Sequence, residues 1–332
     1  MTSLAIPVPT LVPLRWPVGV RQPEAGPASV GELVARWGTD SVSPFTLGPE
    51  RHAVRLPGGG VLGYHALGRW AVMAAGPIAP PGRTEETLDQ ALEVLGRRSL
   101  RPLFAAVGEP GPYLERGMHS WTIAEDPVIH LADFGLGGSR MAGVRHSVSA
   151  ALRSGLRITS LTEKYFCGAA EVSRLWLQKK RGAEMGFTLG RFIPSELEGV
   201  DCQVALDAED RVVAFVTWRS YANGSGRVLD LMRRSAHAPN PTMDLLVADG
   251  LGRFAQAGVD EASLGSVPVA HGRLGERFYP TRSLRRYKDK FAPEWQPRYL
   301  VTPSRPSLPG ALAALGRSYC PGGLARAIRR ND

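Results

Sequence analysis

Residues 226–244 read GRVLDLMRRSAHAPNPTMD, and they indicate a strand, then a loop, then the start of a helix. The apolar residues within 227–232 predict the strand. The prolines and polar residues of 233–242 predict the loop, and apolar residues at helical spacing predict a helix over 243–257. A strand that leads into a helix in this way is the building unit of α/β proteins.

The sequence around this stretch repeats one order of elements. Each repeat has three predicted strands, a helix and a fourth strand, which indicates two mixed α/β units. The first unit has predicted strands at 52–56, 61–66, 70–75 and 102–107 and a helix at 84–98. The second has a helix at 162–178, strands at 204–206, 212–218, 227–232 and 262–265, and the helix at 243–257. A strand at 128–131 and a helix at 138–153 lie between the units.

A second stretch, residues 281–303, reads TRSLRRYKDKFAPEWQPRYLVTP and is strongly basic. Positive charge that alternates with aromatic surface suits an anionic partner with flat apolar faces, such as an RNA end. Tyr287, Phe291 and Trp295 recur every four residues, which is more typical of a buried stripe than of a base-stacking platform. The cations are Arg282, Arg285, Arg286, Lys288, Lys290 and Arg298, against the anions Asp289 and Glu294.

The composition is that of a globular protein with a positive excess. The 332 residues are 43% hydrophobic and 21% charged, with a formal net charge of +9. The three cysteines are scattered and form no CxxC pair, which argues against a disulfide framework or a zinc site and fits a reducing cytosol. The sequence has no HxH or HExxH motif and no carboxylate cluster, so we expect no catalytic metal.

The sequence also bears on the membrane. No apolar run approaches the roughly 20 residues that cross a bilayer. Residues 1–30 contain prolines throughout, without a basic segment before an apolar core, so we expect an extended arm and not a signal peptide. We expect a cytoplasmic protein, which at most touches the inner face of the membrane peripherally.

Several stretches resemble the catalytic domain of the aminoacyl-phosphatidylglycerol synthases, the multiple peptide resistance factor family. Residues 284–300 and 230–246 match family segments of the form LRRFKxKFxPxWxPRYL and DLMRRxxxxPNxxMDxL. GFTLGRF at 186–192 and LADFGL at 131–136 are similar to two further family turns. The resemblance covers residues 35–315, with a looser match in the first half.

The resemblance implies an α/β fold of two tandem GNAT-like (acyltransferase) domains, each a mixed sheet flanked by helices. It places the active site mainly in the second domain. The expected division is an extended Pro-rich arm at 1–30, a first GNAT-like domain at 31–137, a basic linking helix at 138–158, a second, catalytic GNAT-like domain at 159–305 and a basic C-terminal tail at 306–332.

The activity that the resemblance implies is aminoacyl transfer from aminoacyl-tRNA to an acceptor hydroxyl or amine. The tRNA ester is already activated, so the protein needs to position two substrates and stabilise an oxyanion, and we expect no cofactor. Coenzyme A is also disfavoured by the loop at 233–242. Pro239 and Pro241 lack the N–H groups that hold a pyrophosphate, and no glycine lies between Gly226 and Gly250.

The acceptor remains open between two versions. The lack of membrane-spanning segments favours a soluble small molecule of a biosynthetic pathway, and phosphatidylglycerol at the membrane is the alternative. Other classes are a CoA-dependent N-acetyltransferase and a non-catalytic RNA- or membrane-binding module. We expect no DNA partner.

The candidate catalytic residues are Asp230, Arg233, Glu184 and His271. Asp230 is expected to bind the aminoacyl amine or to accept a proton from the acceptor, and Arg233 to hold a phosphate or ribose. Strand alternation predicts that Asp230 and Met232 share one face. Glu184 precedes the GFTLGRF turn, and His271 in a Gly-flanked loop is a candidate general base. For the carboxylates, a surface ion pair or a solvated loop is the alternative.

The candidate substrate- and tRNA-binding residues lie mostly in the basic stretch. Lys288 and Lys290 are the first candidates for contact with the tRNA acceptor stem. Asp244 begins a helix, where a carboxylate also complements the helix dipole. The full set is Lys288, Lys290, Arg286, Arg298, Arg234 and Asp244.

Overall fold

The structure is a computed structural model that describes residues 28–48, 50–179, 186–269 and 281–319. These residues form one mixed sheet with helices packed against it. The helices are α1 (Val30–Trp37), α2 (Thr84–Arg97), α3 (Gly111–Leu114), α4 (Ala142–Arg153), α5 (Glu163–Lys179), α6 (Thr242–Gln256), α7 (Thr281–Asp289) and α8 (Leu308–Tyr319). The strands are β1 (His52–Arg55), β2 (Val61–Leu67), β3 (Trp70–Ala74), β4 (Arg101–Val107), β5 (His119–His130), β6 (Arg157–Ser160), β7 (Asp201–Leu206), β8 (Val212–Tyr221), β9 (Gly226–Arg234), β10 (Glu261–Ser263), β11 (Val267–Pro268) and β12 (Glu294–Thr302).

The two halves of the sheet repeat one pairing pattern. Strands β1, β2 and β3 pair antiparallel in order, and β4 then pairs parallel to β3. Strands β7, β8 and β9 likewise pair antiparallel, and β10 pairs parallel to β9. In each half a helix, α2 or α6, precedes the parallel strand. The predicted α/β class and the repeated order of elements are therefore present in the structure.

The halves exchange their last strands at the centre of the sheet. The strand order runs β4, β12, β5, β10, so β12 of the second half pairs with β4 of the first. In return, β5 of the first half pairs with β10 of the second. β5 and β12 pair with each other along Glu294–Thr302. The sheet therefore continues without a break from one half to the other.

The predicted elements agree with the structure to different degrees. The helix predicted over 243–257 is α6, and that over 162–178 is α5. The helix predicted over 138–153 begins later, at Ala142. The short strand predicted at 128–131 is the end of β5, which has 12 residues. Strands β6, β11 and β12 were not predicted.

Aromatic packing fixes the loop that reaches β9. Phe192 stacks between Phe166 of α5 and Phe215 of β8, with ring centroids 5.6 and 4.5 Å away. These rings bury one face of β8 and β9, while α6 covers the other. There, a Cβ on Gly250 would come within 3.0 Å of Trp218 Nε1, so glycine lets α6 approach the sheet closely. The chain at 186–192 is thereby held beside the middle of β9.

Candidate active site

A β-bulge in β9 sets the direction of Asp230. Val216 pairs with Met232 and Trp218 pairs with Leu229, so two residues of β9 face Thr217 alone. Leu231 N donates to Thr217 Oγ1 at 2.9 Å in place of a ladder bond. A bulge interrupts the alternation of side chains and re-aims them, often beside active sites.

The bulge overturns the predicted orientation of Asp230. Met232 packs with Trp218 against α6. Asp230 instead binds Arg219, the neighbour of Trp218 on β8, which faces the opposite side of the sheet. The expectation that Asp230 and Met232 share a face is therefore wrong.

Asp230 is buried and fully engaged. Its side chain is 1% exposed, and its carboxylate accepts hydrogen bonds from Arg219 Nε and from Gly190 N, each at 2.7 Å. Burial raises the pKa of this carboxyl, although the Arg219 charge and the Gly190 N–H oppose the rise. Gly190 allows the contact, since a Cβ there would lie 2.2 Å from Asp230 Oδ2. Asp230 thus anchors both Arg219 and the loop.

Arg219 and Gly190 line a cavity of about 120 Å³, and Asp230 is not one of its lining residues. Residues of both halves line this cavity, so neither half forms it alone. The first half contributes Phe45, Glu50, Arg51 and His65, and the second contributes Phe187, Gly190, Arg191, Glu196 and Arg219.

The polar groups of the cavity are mostly paired. Arg191 donates to Glu196 through Nε and Nη2 at 2.9 and 2.7 Å and lies 3.7 Å from Glu50. Arg219 forms an ion pair with Asp230 through Nε at 2.7 Å. Desolvation lowers the pKa of His65, the Glu50 charge opposes the shift, and the Arg51 charge adds to it. A neutral imidazole at pH 7 follows, and such a group can accept a proton from a hydroxyl.

Arg233, three residues after Asp230 on β9, contacts α5. It is 3% exposed, its Nη1 donates to Ser173 Oγ of α5, and its guanidinium carbon lies 5.2 Å from the Trp176 ring centroid. Its predicted contact with a phosphate or ribose stays a prediction.

The structure places Lys288 and Arg298 in the interior, with exposures of 4% and 6%. Lys288 Nζ donates to Gly265 O at 2.5 Å, and burial lowers the pKa of its ammonium to about 8. Arg298 donates to Asp40 at 2.7 Å and to Asp126 at 2.6 Å. Groups this buried do not meet an RNA in this conformation, so the geometry favours a structural role over their predicted tRNA contact.

The other candidates that the structure describes lie at the surface, except for the buried Asp244. Lys290 Nζ lies 3.0 Å from Asp244, whose carboxylate is buried at the start of α6. Arg286 is exposed on α7, and Arg234 is exposed at the end of β9 beside Asn240 Oδ1 at 3.4 Å. Their binding roles stay predictions. Glu184 and His271 lie outside the described residues.

The three aromatic residues of the basic stretch have different surroundings. Phe291 is 2% exposed and packs with Tyr287 in the core under α6, as the predicted buried stripe requires. Trp295 instead donates from Nε1 to Asp289 at 2.8 Å and carries Arg285 over its ring at 4.0 Å. The structure therefore gives two of the three rings a packing role.

Two absences hold within the described part of the chain. No helix there is long and apolar enough to cross a bilayer. No three His, Cys, Asp or Glu side chains are grouped there as metal ligands.

Comparison with known proteins identifies the family. The family described as "Phosphatidylglycerol lysyltransferase, C-terminal" matches residues 31–302, most of the chain. The chain belongs to this family. The resemblance seen in the motifs is thereby confirmed.

Relatives in this family match the chain along most of its length. The "Lysylphosphatidylglycerol biosynthesis bifunctional protein LysX" of Mycobacterium ulcerans is 28% identical over 299 residues, which are 81% of this chain and 27% of that protein. The LysX of Mycobacterium marinum gives the same identity and coverage. The chain thus spans about a quarter of these relatives, and their activities as whole proteins are not transferred to it directly.

Two solved structures of this family share the fold. One is the C-terminal domain of a putative lysylphosphatidylglycerol synthetase from Agrobacterium fabrum, with TM-score 0.79 and 24% identity, covering 89% of this chain and 99% of that one. The other is L-PGS from Bacillus licheniformis, with TM-score 0.78 and 21% identity, covering 87% and 96%. At these identities the similarity shows the fold alone.

The comparisons also bear on the acceptor. The preference for a soluble small molecule finds no support among these relatives, and the phosphatidylglycerol alternative fits their names better. That preference rested on the lack of membrane-spanning segments. That argument for a soluble acceptor does not hold, because the chain spans only about a quarter of its relatives' length.

Three residues that line the cavity were not among the candidates from the sequence: Arg51, His65 and Arg219. Arg51 and His65 lie outside the quoted motifs, and they meet Arg219 through packing between the halves. Arg219 lies on β8 eleven residues before Asp230. The antiparallel pairing of β8 with β9 was the one signal that could have located Arg219 from the sequence.

Proposed function

We propose that this protein transfers an aminoacyl group from aminoacyl-tRNA to a hydroxyl of phosphatidylglycerol. The observation that carries the proposal is the cavity shared by both halves, in which Asp230 fixes Arg219 at the wall. The family membership supplies the reaction class. The names of the LysX relatives make a lysyl group the first donor to test.

The reaction needs a proton acceptor, a proton donor and a group that stabilises the oxyanion, and residues of the cavity can supply all three. The acceptor hydroxyl attacks the ester carbonyl carbon, and a C–O bond forms as the ester bond to the tRNA ribose breaks. We assign the proton of the hydroxyl to His65, which passes it to the departing ribose oxygen. Arg219, preorganised by Asp230, stabilises the oxyanion of the tetrahedral intermediate.

The positive amine of the aminoacyl group requires negative charge. Glu50 and Glu196 line the cavity, whereas Asp230 does not line it and is engaged by Gly190 and Arg219. We therefore assign the amine to these two carboxylates, which it would share with Arg191, and we assign Asp230 as the positioning residue of Arg219. Direct contact of Asp230 with the amine would require the Gly190 loop to move.

The halves are proposed to be tandem GNAT-like domains. Support comes from the repeated pairing of β1–β4 and β7–β10 and from the reciprocal exchange of β5 and β12. The tRNA acceptor stem is proposed to reach the cavity past exposed cations, of which Arg286, Arg234 and Lys290 are the candidates. The bilayer is proposed to meet the protein peripherally as the lipid enters.

Transfer of label tests the proposal. In each sample the protein is mixed with a tRNA pool that is charged with one labelled amino acid. Vesicles of phosphatidylglycerol or of phosphatidylcholine are then added. We expect a labelled lipid product with the phosphatidylglycerol vesicles and none with the phosphatidylcholine vesicles. Asp230→Asn and Arg219→Gln should reduce the product strongly, and Arg97→Gln on the far surface of α2 should not. Label that moves to a water-soluble product, or to none, contradicts the proposal.

A further inference from the structure

Arg51 is held rigidly in the wall of the cavity, immediately before β1. Its Nη2 donates to Phe187 O at 2.6 Å, and its guanidinium carbon lies 4.5 Å from the centroid of the Phe187 ring. A hydrogen bond and a cation–π contact to one residue fix both the position and the plane of the guanidinium. Arg51 is thus a preorganised group of the cavity.

The charge of Arg51 is not balanced by any described carboxylate within 4 Å. The other arginines of the cavity are paired, Arg191 with Glu196 and Arg219 with Asp230. Glu50 precedes Arg51 in the chain but pairs with Arg191. In addition, Arg51 Nη1 is buried and has no hydrogen-bond partner among the described residues.

An unbalanced Arg51 charge and an Nη1 without an acceptor among the described residues cost free energy, so a compensating group is expected. A buried N–H without an acceptor loses the hydrogen bonds that water would provide. Desolvation also lowers the pKa of Arg51 to about 10, and the guanidinium stays protonated at neutral pH. An anion that entered the cavity and reached Nη1 would supply both the missing acceptor and the missing charge.

We propose that Arg51 binds a phosphodiester oxygen of a substrate. Guanidinium groups bind phosphate oxygens through parallel N–H bonds, and a fixed plane favours that geometry. The inference rests on the proposed function, because both proposed substrates carry a phosphodiester close to the reacting group. In the lipid it adjoins the acceptor glycerol, and in tRNA it adjoins the terminal ribose.

Direct binding separates the two sources without relying on turnover. Calorimetric titration uses glycerophosphoglycerol as the lipid headgroup and a CCA trinucleotide as the tRNA end. Glycerol and adenosine are the uncharged controls. We expect the full chain to bind one of the two phosphodiesters and Arg51→Gln to weaken that binding about tenfold or more, a typical loss for a charge-assisted hydrogen bond.

Two further variants keep the test decisive. Arg51→Lys keeps the charge but loses the planar fork, so it should bind with intermediate affinity. Arg97→Gln removes an exposed arginine that pairs with Glu93 on α2 and should bind as the parent does. Melting temperatures establish that each variant is folded.

The outcomes are distinct for the two proposals. Binding of a phosphodiester that Arg51→Gln weakens supports the inference even if no aminoacyl product forms, in which case the proposed function alone fails. The inference is overturned if neither probe binds, or if Arg51→Gln and Arg97→Gln bind alike. Weakened glycerophosphoglycerol binding identifies the lipid as the source, and weakened CCA binding identifies the tRNA.

Discussion

Arg298 on β12 and Asp126 on β5 form an ion pair of 2.6 Å inside the protein, where the Asp126 side chain is fully buried. Ser41 and Ser263 each donate to the same carboxylate at 2.5 Å. Asp126 therefore has its lone pairs satisfied by groups from three separate parts of the chain. The pair joins the two strands that the halves exchange, so it locks the junction between the halves.

Replacing Arg298 should strongly destabilise the protein. Arg298→Met leaves Asp126 buried without its cation, and the loss of one partner of a buried pair costs about 3–5 kcal/mol. Urea denaturation monitored by circular dichroism measures the change. Removal of the exposed Arg97–Glu93 pair should change little. Equal effects at the two sites would refute the locking role of Arg298.

Lys288 should make stability depend on pH in the alkaline range. Its native pKa is about 8, below its usual value of 10.5, so between these values the unfolded state binds more protons. Stability should then rise with pH from 8 to 10.5, by about 3 kcal/mol in total. Lys288→Met should lack this rise. Urea denaturation of both proteins at pH 7.5, 8.5 and 9.5 checks the difference, and parallel curves would contradict it.

The local elements of this fold were predictable, and the central strands were not. Helices such as α5 and α6 follow from apolar spacing within one segment. β12 carries Pro297 and two charges, which do not indicate a strand, yet it lies between β4 and β5. Its place depends on partners far away in the sequence, Asp40 and Asp126, which neutralise Arg298. Such pairing leaves no local pattern.

The same limit applies to the site. Asp230 was recognised because it lies within one dense motif. The bulge that turns it toward Arg219 was not expected, because alternation assumes a regular ladder. Arg51 and His65 belong to the other half and meet the motif through folding alone. The sequence therefore identified one anchor of the cavity and missed most of its lining.

Gly190 should tolerate no side chain. A Cβ there would lie 2.2 Å from Asp230 Oδ2 and 2.7 Å from Arg219 Nη2, so Gly190→Ala must displace the loop or break the ion pair. We expect a loss of stability of about 1–3 kcal/mol, typical of a disrupted buried network, and loss of aminoacyl transfer. Gly96→Ala, where nothing lies within 4 Å, is the matched control and should be neutral or slightly stabilising. Thermal melting and the transfer assay measure both, and an active Gly190→Ala would exclude this geometry.

His65 should set the acidic limit of the reaction. Desolvation lowers the pKa of His65 from 6.5, so the imidazole remains neutral at pH 7 and gains its proton at a more acidic pH. If it accepts the proton of the acceptor hydroxyl, the single-turnover rate should fall as the pH drops through that lowered pKa. His65→Gln should reduce the rate about 10²–10⁴-fold and remove the acidic limb.

The control for His65 is a histidine outside the cavity. His130 lies at the end of β5, is 64% exposed and contacts Glu294, so His130→Gln should keep both the rate and the acidic limb. The measurement is the formation of aminoacylated lipid from pH 5 to 8, which is read separately from hydrolysis of the tRNA ester. An acidic limb that persists in His65→Gln would assign the proton to another group. Since Asp230 is engaged by Arg219 and Gly190, the carboxylates Glu50 and Glu196 would then be the next groups to test.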